Sequence, residues 1–199
     1  MTTWGTINRP FSNTPMPISK YLKEIGRGKD GARSLDRQQA ADLMGQVLDG
    51  QVSDLEVGAF CLAMRIKGET AEEMAGFLDA THARLQPVKT TQPNGQDLPT
   101  VVLPSYNGAR KLPVLTPLLA LLLARQGLSV LVHGTPTEND GHRVLTEFVL
   151  ESLKPLPNLV THVRTEQLLP SLKRLLDVRR VVGLRNSAHS LVKLMNPCA

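Results

Sequence analysis

The chain has 199 residues, of which 41% are hydrophobic and 21% charged, and its formal net charge is +5 at pH 7. This length and composition favour a folded globular protein of one or two domains over a disordered chain. They also argue against a membrane-spanning helix, because the longest apolar run, residues 113–124, is too short to cross a bilayer.

The N-terminal residues 1–16 predict a loose tail, because they lack the apolar segment of a secretion signal. Cys61 lies in an apolar helical pattern and Cys198 lies next to the chain end, which indicates neither a disulfide nor a metal site. We therefore expect a cytoplasmic protein.

The positive charge lies entirely in the second half of the chain. Residues 1–100 carry 11 Lys and Arg against 12 Asp and Glu, whereas residues 101–199 carry 12 against 6. A basic half beside a neutral one indicates a surface that faces a polyanion, either nucleic acid or a phosphorylated small molecule. The alternative is a solvated surface that only aids solubility.

Residues 17–87 are predicted to form a helical bundle. Three stretches place apolar residues at helical spacing, and each follows a residue that can cap the first turn. Short loops between the helices indicate antiparallel neighbours. The predicted caps are Asp36 or Ser34 for the first helix, and the capping boxes Ser53 with Glu56 and Thr70 with Glu73 for the next two.

A second domain is predicted over residues 88–199, after a linker rich in Pro, Asn and Gly at residues 86–99. Its pattern is strand, helix, strand, with Thr116 as the helix N-cap, Pro117 in the first turn and Gly127 at the end. This unit predicts a parallel strand pair and hence an α/β fold class.

Two loops, residues 105–111 and 133–143, follow the predicted strands. In open parallel sheets, ligands bind beyond the carboxyl ends of the strands. We therefore expect both loops to face one cleft. The sequence adds no Ser-His-Asp, Cys-His or metal-ligand spacing that would indicate an independent catalytic site.

Three stretches resemble the anthranilate phosphoribosyltransferases and the related pyrimidine-nucleoside phosphorylases. "AMRIKGETAEEMAGFLDA" is similar to the signature of their helical domain, and "VLVHG" is similar to their strand that ends in Lys-His-Gly-Asn. "LPSLKRLLDVRRVVGLRNSAHSLVKLMNP" is similar, in order and spacing, to their stretch from His-Pro-Ala-Met-Lys to Leu-Thr-Asn-Pro. The resemblance runs from residue 17 to the end and implies a helical bundle with part of a parallel α/β domain of phosphoribosyltransferase type.

One branch of this family, described as DNA-binding, transferase-like proteins, resembles the sequence most. The stretches that carry this resemblance are "IGRGKDGARSLDRQQA", "PSYNGARK" and "RNSAHSL". The family has further strands and its acidic magnesium-binding pair after the Asn-Pro near the end of this sequence, which fits either a fragment or a shortened variant. The resemblance also implies a homodimer through the helical domain, which we expect to involve the apolar helices around Phe60 and Met64.

The sequence departs from these enzymes where they hold the diphosphate of phosphoribosyl pyrophosphate. Pro104, Ser105, Tyr106 and Asn107 stand in the region of the family's Gly-Thr-Gly-Gly-Asp, and Val132 replaces the lysine of Lys-His-Gly-Asn. Proline has no amide donor, and tyrosine fills space that the diphosphate needs. Because this catalysis depends on neutralising the leaving diphosphate, the resemblance with these losses implies no transferase activity and no cofactor.

We therefore predict a nucleic-acid-binding protein that contacts phosphates through a basic cleft, with single-stranded DNA or RNA favoured because Tyr106 can stack on bases. The alternative is an active or vestigial phosphoribosyltransferase that uses phosphoribosyl pyrophosphate and Mg, and a third possibility is a dimeric scaffold. Arg179 matches the family's arginine that contacts the aromatic acid, whereas Leu169 replaces the histidine. The predicted phosphate-binding residues are Tyr106, Asn107, Gly108, Arg110, Lys111, His133, Gly134, Arg143, Lys173, Arg179, Arg180 and Arg185.

Several of these residues have structural alternatives. Tyr106 can pack its ring at the sheet edge with its hydroxyl in water, and His133 can be a hydrogen-bonded core residue. The basic segment around Arg179 can be a solvated helix face. Asn186 and His189 are expected to form local hydrogen bonds at a helix start rather than to contact a ligand.

Overall fold

The structure is a computed structural model that describes residues 18–28, 30–92, 99–106, 112–135 and 146–198. Within these ranges, no helix is both long and apolar enough to cross a membrane. The helices are α1 (Ser19–Ile25), α2 (Arg37–Leu48), α3 (Asp54–Lys67), α4 (Ala71–His82), α5 (Thr116–Arg125), α6 (Thr146–Ser152), α7 (Thr165–Leu168), α8 (Pro170–Val182) and α9 (Ala188–Leu194). The strands are β1 (Val101–Pro104), β2 (Val130–Gly134) and β3 (Val160–Arg164).

Helices α2, α3 and α4 begin where the sequence predicts. Asp36, rather than Ser34, caps α2 and exchanges hydrogen bonds with Gln39 in a capping box. Such reciprocal bonds satisfy backbone donors that the first helical turn leaves without partners. The two other capping boxes pair Ser53 with Glu56 and Thr70 with Glu73.

The helical bundle is closely packed. A Cβ atom on Gly76 of α4 would overlap the carbonyl oxygen of Arg37 at the start of α2, so these two helices approach each other at a position where only glycine fits. Phe60 of α3 and Phe77 of α4 are fully buried and meet edge to face, with ring centroids 5.9 Å apart. The predicted helical bundle is confirmed.

The structure corrects the N-cap that the sequence predicts for α5. Its N-cap is Leu115, and Thr116 is the first residue inside the helix, where its side chain makes no capping hydrogen bond. Pro117 lies in the first turn as predicted, and Gly127 follows the helix with a φ of 82°, a conformation that favours glycine.

The three strands form one parallel sheet in the order β1-β2-β3. Val130 of β2 lies between Val101 of β1 and Val160 of β3, and all five residues of β2 are buried. Helices α5 and α6 contact each other and share a small apolar core with Val130 and Val132. The predicted parallel strand pair is confirmed, and the structure adds a third strand.

The domain boundary predicted at residue 88 does not divide the apolar core of the helical bundle from the small apolar core at the sheet. The apolar core of α1–α4 also contains buried residues of α7, α8 and α9, which lie within the segment predicted as the α/β domain. After β3 the chain returns to the bundle, because α8 presents Leu172, Leu175 and Leu176 on one face. Hydrogen bonds join the two parts, including Ser187 Oγ to Glu69 Oε1 at 2.6 Å.

The structure shows which face of the helix around Phe60 and Met64 is exposed and could meet a second copy. Phe60 and Met64 have no exposed surface and belong to the core of their own chain. The exposed apolar residues of α3 lie on the opposite face, where Leu55, Leu62 and Ile66 are exposed by 66%, 45% and 54%. Homodimerisation remains a prediction, and this face is a candidate surface for it within the helical bundle.

Candidate functional site

Polar residues from the ends of all three parallel strands meet at one place. The hydroxyl of Tyr106, just after β1, lies 3.0 Å from Nδ1 of His133 at the end of β2. The same hydroxyl lies 2.9 Å from Oγ1 of Thr165, which follows β3. The first residues of the two predicted cleft loops therefore meet, as the carboxyl ends of neighbouring parallel strands should.

His133 is a core residue rather than a ligand contact. Its side chain has no exposed surface, and Nε2 is buried without a hydrogen-bond partner among the described residues. Burial, with a smaller contribution from the nearby charge of His162, lowers the pKa of His133 to about 4, so the ring is neutral at pH 7. A neutral ring with no exposed surface cannot contact a phosphate, which corrects the prediction for His133.

Tyr106 is a link between strands rather than a stacking platform. Its hydroxyl is hydrogen-bonded to both His133 and Thr165. Its ring contacts the His133 ring edge to face, with ring centroids 5.8 Å apart. The hydroxyl is thus hydrogen-bonded inside the protein and not in water, which also corrects the structural alternative. Burial raises the pKa of the Tyr106 hydroxyl, so the group stays protonated.

Gly134 has a packing role at the end of β2. A Cβ atom at this position would overlap the carbonyl oxygen of Ser105, so the ends of β1 and β2 approach each other over glycine. The Ser105 hydroxyl in turn lies 2.5 Å from Oγ1 of Thr146 at the start of α6. This close approach accounts for glycine at position 134, and the phosphate contact of Gly134 stays a prediction.

Five predicted phosphate-binding residues lie outside the described residues and stay predictions. These residues are Asn107, Gly108, Arg110, Lys111 and Arg143.

Helix α8 distributes its basic residues over different faces. Asp177 lies between two of them, with 2.5 Å to Nζ of Lys173 and 3.3 Å to Nη2 of Arg180. Arg179 instead follows Leu172 and Leu176 at intervals of three and four residues, so it shares their buried face and is only half-exposed. The structure therefore separates Arg179 from the cations that Asp177 partly neutralises.

The charges of Arg179, Arg185 and Lys193 all act on His189, and we call these three residues the α8–α9 cationic cluster. Burial is the main cause that lowers the pKa of His189 to about 4. The hydrogen bond with the Asn186 backbone opposes this shift, and the positive charges of the three cluster residues each add a smaller lowering effect. Within the described part of the chain, none of the three has a carboxylate at ion-pair distance. Helix α9 also contacts β1, so the cluster belongs to the region where the helical core adjoins the sheet.

Most of the described Lys and Arg residues between positions 18 and 84 are paired, in contrast to this cluster. Arg37 binds Asp79 and Arg84 binds Asp49, each at 2.6 Å. Among the described residues, ion pairs are thus more frequent in the helical bundle than on α8 and α9. An electrostatic site for an anion requires a local concentration of positive charge.

The local role expected for Asn186 and His189 is confirmed. The Asn186 side chain accepts a hydrogen bond from the Ala188 amide at 3.1 Å and donates one to the Leu175 carbonyl at 2.7 Å. Nδ1 of His189 lies 3.2 Å from Oδ1 of Asn186. These bonds join the start of α9 to α8.

Sequence reasoning missed Thr165 and Lys193. Thr165 directly follows β3, so the rule that ligands and polar residues gather at strand ends would have found it had that strand been predicted. Lys193 lies one helical turn after His189, a spacing of four residues that places both on one face of α9.

Comparisons with known proteins agree with this architecture. A family described as "Glycosyl transferase family, helical bundle domain" matches residues 19–84. YbiB of Escherichia coli (strain K12), which is named as an uncharacterized protein, is 44% identical over 197 residues, covering 92% of this chain and 60% of that relative. An anthranilate phosphoribosyltransferase of Methanopyrus kandleri is 31% identical over 195 residues, covering 88% of this chain and 53% of that relative.

A solved structure supports the same fold. Anthranilate phosphoribosyltransferase from Thermus thermophilus matches with a TM-score of 0.71 and 21% identity, covering 89% of this chain and 55% of that one. The chain therefore spans a little over half the length of the relatives it matches. Its helical bundle, residues 19–84, belongs to this glycosyl transferase family, and the chain as a whole is similar to anthranilate phosphoribosyltransferases over the bundle and a parallel α/β part.

Proposed function

We propose that the protein binds nucleic acid in the cytoplasm through phosphate contacts and does not transfer phosphoribosyl groups. This assigns it to the DNA-binding, transferase-like branch of its family. The α8–α9 cationic cluster supplies the contacts among the described residues, and Arg110, Lys111 and Arg143 are expected to extend them.

We base the proposal on three cationic side chains that have no carboxylate at ion-pair distance among the described residues. Arg179, Arg185 and Lys193 all act on one histidine, yet no described acidic residue pairs with them. Like charges held together repel one another, and a bound polyanion relieves that repulsion. Phosphate contacts of this kind provide most of the affinity of sequence-independent nucleic-acid binding.

The strand ends do not fit the magnesium diphosphate that the family's enzymes use. Tyr106 and His133 fill the mouth of the sheet and bind each other, and Val132 is buried and uncharged. These contacts support the absence of transferase activity in the proposal.

The expected preference for single strands loses its main support. It relied on Tyr106 as a stacking residue, and the hydroxyl of Tyr106 is instead bound to His133 and Thr165. The proposal therefore rests on phosphates, which single strands, duplex DNA and RNA all present.

A salt titration tests nucleic-acid binding. Fluorescent single-stranded DNA, duplex DNA and RNA of equal length are titrated with the protein at several salt concentrations. Binding through the three cluster residues should give a log-affinity against log-salt slope of about −2 on single strands and a steeper one on duplex. Absence of binding at low salt, or affinity that does not change with salt, would contradict the proposal.

A separate assay tests the absence of transferase activity. The protein is incubated with phosphoribosyl pyrophosphate, magnesium and anthranilate, and we expect no product above a protein-free blank. Turnover that is lost on Arg179→Gln would instead make phosphoribosyl transfer the function.

A further inference from the structure

A pocket lies between α8 and the corner where α2 is joined to α3. Its volume is about 260 Å³, just below the range for drug-sized ligands, so it suits a smaller molecule. None of its described lining residues belongs to a strand, so the pocket is separate from the strand ends. Its apolar walls are formed by Val47, Val52, Val57, Leu175 and Val178.

Two opposite charges also line this pocket. Asp54 lies in the first turn of α3, and Arg174 lies in the second turn of α8. Within the part of the chain that the structure describes, neither side chain has an oppositely charged group at ion-pair distance, and the two do not pair with each other. Asp54 is not used as a cap either, because Ser53 and Glu56 form the capping box of α3. Both charges are therefore available to a ligand.

We propose that this pocket binds an aliphatic α-amino acid. A guanidinium can donate two parallel hydrogen bonds to a carboxylate, so Arg174 suits the α-carboxylate. The carboxylate of Asp54 suits the α-ammonium group. A branched side chain such as that of leucine would bury apolar surface against the valine and leucine walls.

The two charges together select against simpler ligands. Asp54 would repel an anion such as a phosphate, and Arg174 would repel a cation. A small molecule that carries both charges and an apolar side chain matches all the features of the pocket. The proposal is independent of nucleic-acid binding, because Arg174 is not part of the α8–α9 cationic cluster.

Calorimetric titration of the protein with L-leucine tests the proposal. Leucine should bind one to one with a Kd of about 1 mM or tighter. Three analogues each lack one feature: 4-methylpentanoate has no ammonium group, 3-methylbutylamine has no carboxylate, and glycine has no side chain. Each analogue should bind about tenfold more weakly or worse, because it leaves one part of the pocket without a partner.

Two variants test the charged residues. Arg174→Gln and Asp54→Asn each remove one charge from an exposed side chain, so both should fold. Each should weaken leucine binding about tenfold or more through the loss of a charged hydrogen bond. Arg65→Gln is the matched control, because it removes a charge from an exposed arginine of α3 that does not line the pocket, and it should leave the affinity unchanged.

Amide chemical shifts locate the bound amino acid. Leucine should change the shifts of Val52, Val57 and Val178 and leave those of β2 unchanged. Absence of saturable binding, parental affinity in folded Arg174→Gln or Asp54→Asn, or shift changes confined to other residues would overturn the proposal. Binding of 4-methylpentanoate as tight as that of leucine would also overturn it, because the ammonium group would then have no role.

Discussion

Gly134 is the residue at which the end of β2 comes closest to the chain leaving β1. Because a Cβ atom would overlap the Ser105 carbonyl oxygen, Gly134→Ala should lower the free energy of unfolding by about 3 kcal/mol. Gly58→Ala is the control, since its new Cβ atom would meet nothing within 4 Å and alanine favours the helix interior, so it should stabilise by about 0.5–1 kcal/mol. Equal stability of the two variants in denaturant unfolding would refute the close approach.

His133 makes stability depend on pH. Its pKa of about 4 in the folded protein lies below the ordinary 6.5, so the unfolded state binds more protons between these values. The free energy of unfolding should therefore fall as the pH drops from 6.5 to 4. His133→Asn keeps an acceptor for the Tyr106 hydroxyl but does not titrate, and it should lose on the order of 3 kcal/mol less over this range. Parallel pH profiles of the two proteins would disprove this account.

Among the helices, the corner between α3 and α4 depends on a buried ion pair. Lys67 Nζ lies 2.6 Å from Glu73 Oε2, and the two side chains are exposed by only 7% and 0%. Burial opposes ionisation of Glu73, but bonds from Lys67 and from the amides of Leu35 and Thr70 hold its pKa below the ordinary value.

Lys67→Met should therefore leave a buried carboxylate without its partner and lower the free energy of unfolding at pH 7 by about 3 kcal/mol. The double variant Lys67→Met with Glu73→Gln removes both charges and should recover part of that loss. Thermal or denaturant unfolding of the three proteins measures both effects. A single variant as stable as the unsubstituted protein would show that the pair is not required.

The elements that the sequence predicts correctly are those set by local patterns. The capping boxes at Ser53 and Thr70 and the turn at Gly127 involve residues a few positions apart. β3 was missed because "VTHVR" mixes apolar, charged and titratable side chains over five residues. The return of α8 and α9 to the bundle depends on packing between distant segments, which a linear pattern does not contain.

Prediction of the candidate site is limited in the same way, because its contacts join residues that are distant along the chain. Arg179 and Arg185 were found because they stand in a basic run, although the face that Arg179 occupies follows only from helical spacing. The partners of the Tyr106 hydroxyl lie 27 and 59 residues away along the chain. No sequence pattern at Tyr106 could indicate whether its hydroxyl faces inward or toward a ligand.

At the scale of the whole molecule, the exposed apolar face of α3 predicts a twofold dimer. Leu55, Leu62 and Ile66 form this face, and burying it against a second copy removes apolar surface from water. Light scattering should show twice the mass of one chain, and Leu62→Glu should reduce it to one. Leu194→Glu places the same charge on an exposed leucine of α9 and should leave the mass unchanged. A monomer at every concentration would count against the dimer.

The protein has a phosphoribosyltransferase-like scaffold in which Tyr106 and His133 occupy the strand ends. We propose that the α8–α9 cationic cluster, whose charges have no carboxylate partner among the described residues, contacts nucleic-acid phosphates. Each phosphate contact contributes to the salt dependence of binding, so removing contacts makes that dependence shallower. Removing an equal charge elsewhere on the protein should leave the salt dependence of binding unchanged.

The most direct measurement is the salt slope of single-strand binding by Arg179→Gln with Arg185→Gln. The control is Arg27→Gln with Arg33→Gln, which removes the same net charge from two arginines that bind Glu24. We expect the cluster variant to have a slope shallower by about 1.4, corresponding to two lost contacts, and the control to keep the parent's slope. If both variants stay folded and the cluster variant keeps the parent's affinity and slope, the cluster is not the nucleic-acid site.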